Sequence, residues 1–366
     1  MNYHKKLLWN QQQNIFRIEV QLMEKIKEQN KTKKLNLEDF LLNYALYIVL
    51  FIMIVVFIIK EPTFLSINNF TKILSQASTR GILALGVAGL IVLQGTDLSA
   101  GRILGLTAIV SASLLQSTTY ASRMYPNLPM LPLILPLIAA VIIGGIFGAI
   151  NGFGVAKLKV HAFIITLGTQ LIAYGISCLY IDRPPLGAQP IANLDERYTE
   201  LVNGYFKIGT IKLPYLIFYL AIAAIVMWFI WNKTKLGKNM FAIGGNPEAA
   251  AVSGVNIVKN IMFIFIISGV LYGIAGFLEA ARAGSTSTMT GFNYELDAIS
   301  ACVVGGVSFS GGVGTIPGVL IGAILLQVIN YGLNFVGVNA YWQYIIRGLI
   351  IIIAVSLDVR KYLAKK

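Results

Sequence analysis

Long, uninterrupted apolar runs constrain this chain more than any other feature. The first is "LLNYALYIVLFIMIVVFII" (41–59), and nine more follow near 82–93, 103–115, 131–150, 161–180, 213–231, 261–281, 298–310, 313–330 and 342–357. A hydrocarbon layer about 30 Å thick needs about 20 apolar residues of helix to cross it. Inside lipid every backbone polar group must also find its partner within the protein, which favours helices. The runs therefore predict an all-α polytopic membrane protein with about ten transmembrane segments. Hydrophobic residues make up 56% of the 366 and charged residues only 12%, where a soluble chain carries about 25% charged. Three runs, 82–93, 103–115 and 298–310, fall short of a span. Gly, Ser and Thr flank them, so they either extend as helix or form broken helices sheltered among neighbours.

The net charge of +13 reads as orientation charge and not as a nucleic-acid footprint. Ten crossings put both termini on one side. With the N-terminus inside, roughly twice as many Lys and Arg fall inside as outside, which predicts N-in and C-in. Residues 1–40 are then a polar cytoplasmic tail and 41–366 the transmembrane domain. The loop 232–260 lies in the cytoplasm and the polar loop 181–212 outside. The tail lacks the short apolar core and cleavage site of a signal peptide, and Met23 offers a later start than Met1. Cys178 and Cys302 both lie in apolar runs, and His4 and His161 have no neighbouring ligand at metal spacing. No disulfide framework and no metal site are expected.

Glycines recur every fourth residue at Gly144, Gly148 and Gly152, and again at Gly314, Gly318 and Gly322. Such ridges let helices approach closely. Their tails are related, "GAINGFG" and "GAILLQVINYG". Asp97 of "GTDLSAG" lies between segments two and three, and Asp297 of "YELDAIS" between seven and eight, on opposite sides of the membrane. Two inverted repeats account for this pattern.

The stretch "GKNMFAIGGNPEAAAVSGVN" (237–256) is small and polar in a chain of oil. It reads as a very short helix with full punctuation. Asn246 is an N-cap, Pro247 suits the first helical position, and Glu248 meets the positive end of the dipole. Ala249, Ala250 and Ala251 propagate the helix and Gly254 stops it. About two turns are unstable alone, so the helix must pack on something. The residues leave two readings open: a surface helix on its own membrane domain, or a docking element for a cytosolic partner.

This loop resembles the cytoplasmic coupling loop of sugar-importing ABC permeases of the ribose/xylose/galactose group. "GVAGLIVLQGTDLSAGR" (86–102), "YELDAISACVVGGVSFSGGVGT" (294–315) and "NYGLNFVGVNAYWQYIIRG" (330–348) are similar to the same family, in the family's order. The similarity runs from about residue 40 to the C-terminus; the long tail departs from it. The resemblance implies a homodimer with its pathway at or near the subunit interface. It also implies a cytosolic ATPase below and a periplasmic sugar-binding protein above. ATP and Mg would belong to the ATPase, with no cofactor bound by this chain. Gly244, Gly245, Asn246, Pro247, Glu248, Ala249, Ala250 and Gly254 would then form the ATPase-coupling site. The resemblance favours galactose and methyl-galactosides as cargo.

No G-x-x-x-x-G-K-[ST] phosphate loop is present, so ATP hydrolysis by this chain is not expected. Asp97, Ser99 and Arg102 form the most polar cluster at a membrane break, where ionisable groups are functional candidates; holding the break is the structural alternative. Thr166, Thr169, Asn330 and Tyr331 are candidates to line the pathway. Glu295 and Asp297, at an outer break, are expected to cap helix ends or to face the binding protein. Glu279 and Arg282 are spaced to pair. Arg347 is expected to snorkel, and His161 to mark a boundary. Two rival classes remain. An ion-coupled secondary transporter would need no coupling helix, and an intramembrane enzyme would need convergent catalytic residues that the spans do not offer.

Overall fold

The computed structural model describes residues 37–182, 187–209 and 211–363. The tail 1–36, with Met23, lies outside them. Residues 49–366 make one compact unit. The helices are α1 (Leu37–Lys60), α2 (Ile67–Val92), α3 (Ala100–Leu114), α4 (Ile134–Ala156), α5 (Ala162–Ile181), α6 (Glu196–Asn203), α7 (Tyr215–Lys233), α8 (Lys235–Gly245), α9 (Pro247–Val252), α10 (Ile257–Ala283), α11 (Tyr294–Val304), α12 (Ile316–Phe335) and α13 (Ala340–Leu363). A hairpin of β1 (Tyr205–Ile208) and β2 (Ile211–Pro214) follows α6, in the register Phe206 opposite Leu213.

Six helices, α2, α4, α5, α7, α10 and α12, are long and apolar enough to cross a membrane. Shorter apolar stretches lie in α1, α3 and α13. The three short runs of the sequence divide. Residues 82–93 extend backwards into the 26 residues of α2, started by Ser66, whose side chain accepts from the Asn69 amide. The other two stay short, as the 15 residues of α3 and the 11 of α11.

Burial separates core from periphery. The apolar window of α2 is 83% buried and that of α10 is 61%, against 28% for α5 and α7. The outer helices turn Ile164, Leu179 and Ile225 outward, as lipid-facing helices do. Lipid offers no hydrophobic drive for helix association, so close packing must supply the attraction. The glycine ridge of α4 does this. Gly144 lies against the backbone of Gly269 and Gly273, and a Cβ at Gly148 would run into the Phe265 carbonyl of α10. The second ridge has a different partner: Gly318 and Gly322 of α12 lie against Gly305 and Ala301 of α11 and the turn after it.

The connections gather at two ends of the bundle. At one end the Gly312 amide donates to Val92 O (2.9 Å), and Gln94 Nε2 donates to Gly244 O (2.8 Å) and Ser310 O (2.9 Å). At the other, the Asp195 amide donates to Leu115 O (2.8 Å), Ile191 and Thr286 exchange backbone bonds, and Asn203 Nδ2 donates to Ala281 O (2.7 Å). The segment 181–212, expected as a plain polar loop, thus carries α6 and the hairpin. Asp195 caps α6 through the Arg197 amide (2.9 Å), and the Arg197 guanidinium bonded to its carboxylate (2.6 Å) holds that carboxyl below the usual range.

The breaks before α3 and α11 return into the bundle. The two helices start against each other: Gly101 abuts the Gly291 carbonyl and the Glu295 carboxylate, with no room for a Cβ. Irregular backbone at such depth survives because protein surrounds it.

Gly148→Leu is expected to destabilise the bundle by at least about 1–3 kcal/mol, the cost of overpacking a tight contact. Thermal unfolding in detergent reads this as a lower Tm and a poorer yield of monodisperse protein. An unchanged Tm would show that the ridge is not a tight contact.

Candidate coupling surface and buried polar networks

The candidate coupling surface begins at Thr234, between α7 and α8. Its hydroxyl oxygen accepts from the Gly237 amide (3.2 Å) and its hydroxyl donates to Ile230 O (2.6 Å). α8 itself was not foreseen in the sequence; the Thr234 cap and the buried Met240 and Ile243 are the signals it offered. At its end Gly244 presses on the Val92 carbonyl, beside the Gly312 amide. Gly245 stays at the surface. Asn246 then caps α9, its Oδ1 accepting from the Ala249 amide (3.0 Å). Pro247 opens the helix and Glu248 lies in its first turn. Gly254 follows with φ +83°, a stop that favours glycine. Of α9 only Ala250 is buried; Pro247, Glu248, Ala249, Ala251 and Val252 face solvent, Val252 at 91% exposure.

A first polar network closes the break between α2 and α3. Ser99 donates to Asp97 Oδ1 from its amide (2.8 Å) and its hydroxyl (2.5 Å), and Tyr272 OH donates to Asp97 Oδ2 (3.1 Å). Asn151 Nδ2 donates to Ser99 Oγ (2.9 Å), and Thr169 Oγ1 donates to Asn151 Oδ1 (2.7 Å). Thr166 Oγ1 accepts from the Leu98 amide (3.1 Å). The network joins α4, α5 and α10 to the break, and Asp97, Ser99, Asn151, Thr166 and Thr169 are all buried. Arg102, read from sequence as part of this cluster, is not. It donates to Thr288 O (2.9 Å) and its guanidinium lies over the Tyr174 and Phe292 rings. Its side chain meets the segment before α11, at Thr288 and Phe292, and not Asp97.

A second network lies on α2, α10, α11, α12 and α13. Arg80 Nη1 meets Asp297 Oδ2 at 2.5 Å, and its guanidinium covers the Tyr294 ring. Tyr294 OH and Thr79 Oγ1 donate to Glu279 (2.9 and 2.7 Å), which Arg282 clasps with two bonds (2.6 and 2.7 Å). Arg347 Nε donates to Asn330 Oδ1 (3.0 Å), and its Nη1 lies 3.6 Å from Asp297 Oδ1. Glu279 and Arg282 pair as their spacing predicted. Three other expectations narrow or change. Asp297 and Glu295 are buried in the first turn of α11, where that helix starts against α2 and α3, which fits the helix-end alternative and not an open outer face. Arg347 does not snorkel, because Asn330 and Asp297 hold its head. Asn330 is buried, and Tyr331 OH donates to Asn69 Oδ1 (2.8 Å). Arg80, Asn151 and Tyr272 belong to these networks and were not singled out in the sequence; Arg80, a charge just before the apolar run 82–93, was the available signal.

His161 sits exposed at the start of α5, a boundary residue as expected. Cys178 and Cys302 are free thiols. Among the described residues no group of His, Cys, Asp or Glu is arranged to hold a metal ion.

A family model described as "Branched-chain amino acid transport system / permease component" matches residues 69–355, from the start of α2 into α13. The chain belongs to this family. It is 52% identical over 328 residues to the galactose/methyl galactoside import permease protein of Haemophilus influenzae, covering 90% of this chain and 97% of that one. Identity to the protein of the same name from Escherichia coli K12 is 53% over 322 residues, 88% of this chain and 95% of that one. The ribose import permease protein of Escherichia coli K12 is 36% identical over 315 residues, 86% of this chain and 92% of that one. No solved structure matches.

Asp97→Ala is expected to cost about 1–3 kcal/mol by leaving the Tyr272 and Ser99 hydroxyls without their acceptor. Asp97→Asn, which keeps one oxygen, should recover part of that loss. Thermal unfolding of the two variants checks the order; equal Tm values for Ala and wild type would remove the network from the stabilising contacts.

Proposed function

We propose that this chain is the membrane-spanning permease subunit of an ATP-driven importer. Its cargo is galactose, a methyl galactoside or a related monosaccharide. The observation that carries the reading is identity above 50%, along about nine-tenths of the chain, to two galactose/methyl galactoside import permeases. The protein is a multi-pass component of the bacterial inner membrane and a transport subunit, not an enzyme.

Two copies pair around the path in this reading, with a cytosolic ATPase at one end and a periplasmic sugar-binding protein at the other. ATP and Mg are held by the ATPase. Ten crossings, arranged as two inverted halves with both termini inside, put the Gly244 end of the bundle in the cytoplasm. The α6–hairpin segment then faces the periplasm. The short helices α3 and α11, each beginning at a break inside the bundle, support the two halves. Ordinary solvated helices do not present apolar tips, so the exposed Pro247, Ala249, Ala251 and Val252 support a surface that a partner covers. The galactose-group partner of this surface is the ATPase.

The geometry suggests how force would pass. α9 rests on its own domain through one buried residue, Ala250, while α8 behind it touches the membrane domain backbone to backbone at Gly244. A pull on α9 therefore reaches the end of α2 at Val92 and the turn before α12 at Gly312 without a soft side chain between. Alternating access follows when two ATPase subunits close on ATP and draw these ends together.

The buried carboxylates Asp97 and Asp297 are features an ion-coupled carrier would also need, so the second reading is a secondary sugar transporter. Their partners are all supplied by the fold, which favours the first reading. Uptake into proteoliposomes separates the two: galactose entry is expected to require this chain, the ATPase with ATP, and the binding protein together. Entry driven by an ion gradient with this chain alone would overturn the proposal. Glu248→Arg, which reverses charge at the dipole's positive end, is expected to weaken ATPase co-purification while the membrane domain keeps its Tm. Full co-purification would remove α9 from the docking surface.

A further inference from the structure

Most residues first considered for the sugar path are sealed inside the protein: Asp97 is 1% exposed, Thr166 0%, Thr169 5% and Asn330 6%, while Tyr331 is partly exposed. The sealed ones hold helices together and present nothing to a passing molecule. The second network differs. The Arg347 side chain keeps 27% of its surface exposed and that of Arg80 keeps 20%.

An arginine exposed on the flank of a membrane-spanning helix needs water or a charged partner on its open side. Its usual escape is to stretch its stem to the membrane surface. Arg347 is denied this. Its Nε is tied to Asn330 Oδ1 at 3.0 Å and its Nη1 is drawn to Asp297 Oδ1 at 3.6 Å. The head group is thus fixed beside the Arg80–Asp297 pair, about 10 Å along α13 from its start at 1.5 Å per residue. A guanidinium left partly open at that depth requires water before it and not acyl chains.

The neighbouring side chain has matching chemistry. Tyr344 lies one turn earlier, half exposed, with its ring centroid 6.0 Å from the Arg347 guanidinium. An aromatic plane offers an apolar surface with a polar rim, and a planar guanidinium offers paired donors. A hexopyranose is complementary to both: its C–H face is flat and apolar, and its edge carries adjacent hydroxyls. Asp297, shared between two arginines, lowers the local charge, which suits a neutral cargo and not an anion. Much of the Arg347 donor set is already engaged with Asn330 and Asp297, so contact with a sugar is weak, as a path that must release its cargo requires.

We propose that the face of α13 carrying Tyr344 and Arg347, backed by Asp297 and Arg80, lines the outer part of the sugar path and contacts a neutral hexopyranose in transit. This rests on the reading of the chain as a sugar permease. It also predicts that the sealed threonines and Asp97 never touch cargo in the arrangement seen here.

The test uses the permease assembled with its ATPase and binding protein in proteoliposomes. Tyr344→Cys is placed in a chain whose Cys178 and Cys302 are replaced by Ser and Ala, since Tyr344 is exposed and makes no bond on which the network depends. A charged, membrane-impermeant methanethiosulfonate is the probe. The thiol is expected to react, and millimolar galactose, but not sucrose at equal osmolarity, to slow the reaction several-fold. A thiol that fails to react places Tyr344 against lipid or a second copy and overturns the proposal. So does a rate indifferent to galactose. In parallel, Tyr344→Ala should lower galactose uptake several-fold while Tyr344→Phe restores it; equal uptake by both removes the ring from the path. Wild-type complex that takes up no galactose at all would instead defeat the reading as a sugar permease, and labelling without protection would defeat only this inference.

Discussion

The backbone-to-backbone contact of α4 with α10 is the constraint on which the rest of the bundle depends. At Gly144, Gly269 and Gly273 the two chains meet without side chains between them. In lipid this closeness replaces the hydrophobic drive that a soluble core would use. With one face of α10 committed to α4, its other faces receive α2 and α3. Ser268 donates to Gly86 O (2.7 Å) on α2, Thr79 reaches Glu279, and Gly276 lies against Leu104 and Thr107 of α3. α10 is thus the post to which α2, α3 and α4 are fixed, and the outer helices α5 and α7 are free to turn aliphatic faces outward.

That arrangement makes room for two interrupted segments. Residues 95–99 and 285–293 run outside the helices, so each needs polar partners supplied by neighbours. Asp97, Ser99 and Asn151 serve the first. At the second, Gly291 takes φ +79° where it meets Gly101, a conformation and a spacing that only glycine accommodates cheaply.

The class of fold was legible because hydrophobic length is a one-dimensional property; a run such as 261–281 announces its helix without reference to any neighbour. So was α9, whose cap, proline, acidic first turn and stop are all local. What was not legible depends on distance in space. Arg347 looked like a snorkelling residue because its partners, Asn330 and Asp297, are 17 and 50 positions away and are brought to it by α12 and α11. Arg102 looked like part of the Asp97 cluster because its actual partners, Tyr174, Thr288 and Phe292, are far from it in sequence. α8 was missed because its apolar face is narrow and held by tertiary contact with Val92 and Trp231, and the hairpin after α6 because four-residue strands leave too short an alternation to read.

The two regions given functional roles sit at opposite ends of the bundle, and α2 connects them. Val92, at its last position, is pinned to Gly244 and Gly312 by backbone contacts. Arg80, twelve positions earlier on the same unbroken helix, is bonded to Asp297, which also draws Arg347. The separation is about 18 Å at 1.5 Å per residue. A helix buried over most of its length and carrying no proline transmits displacement along its axis rather than absorbing it by bending. At the coupling end, the contact that would move α2 has no flexible side chain in it. At the far end, Asp297 stands between one arginine on α2 at hydrogen-bonding distance and another on α13 slightly beyond it. A shift of α2 by about 1 Å, the scale of helix shifts that accompany switching, would bring the two separations close to equal. The asymmetry of those two distances, 2.5 and 3.6 Å, is therefore where a motion starting at the Gly244 end would reach the side chains proposed to meet the sugar.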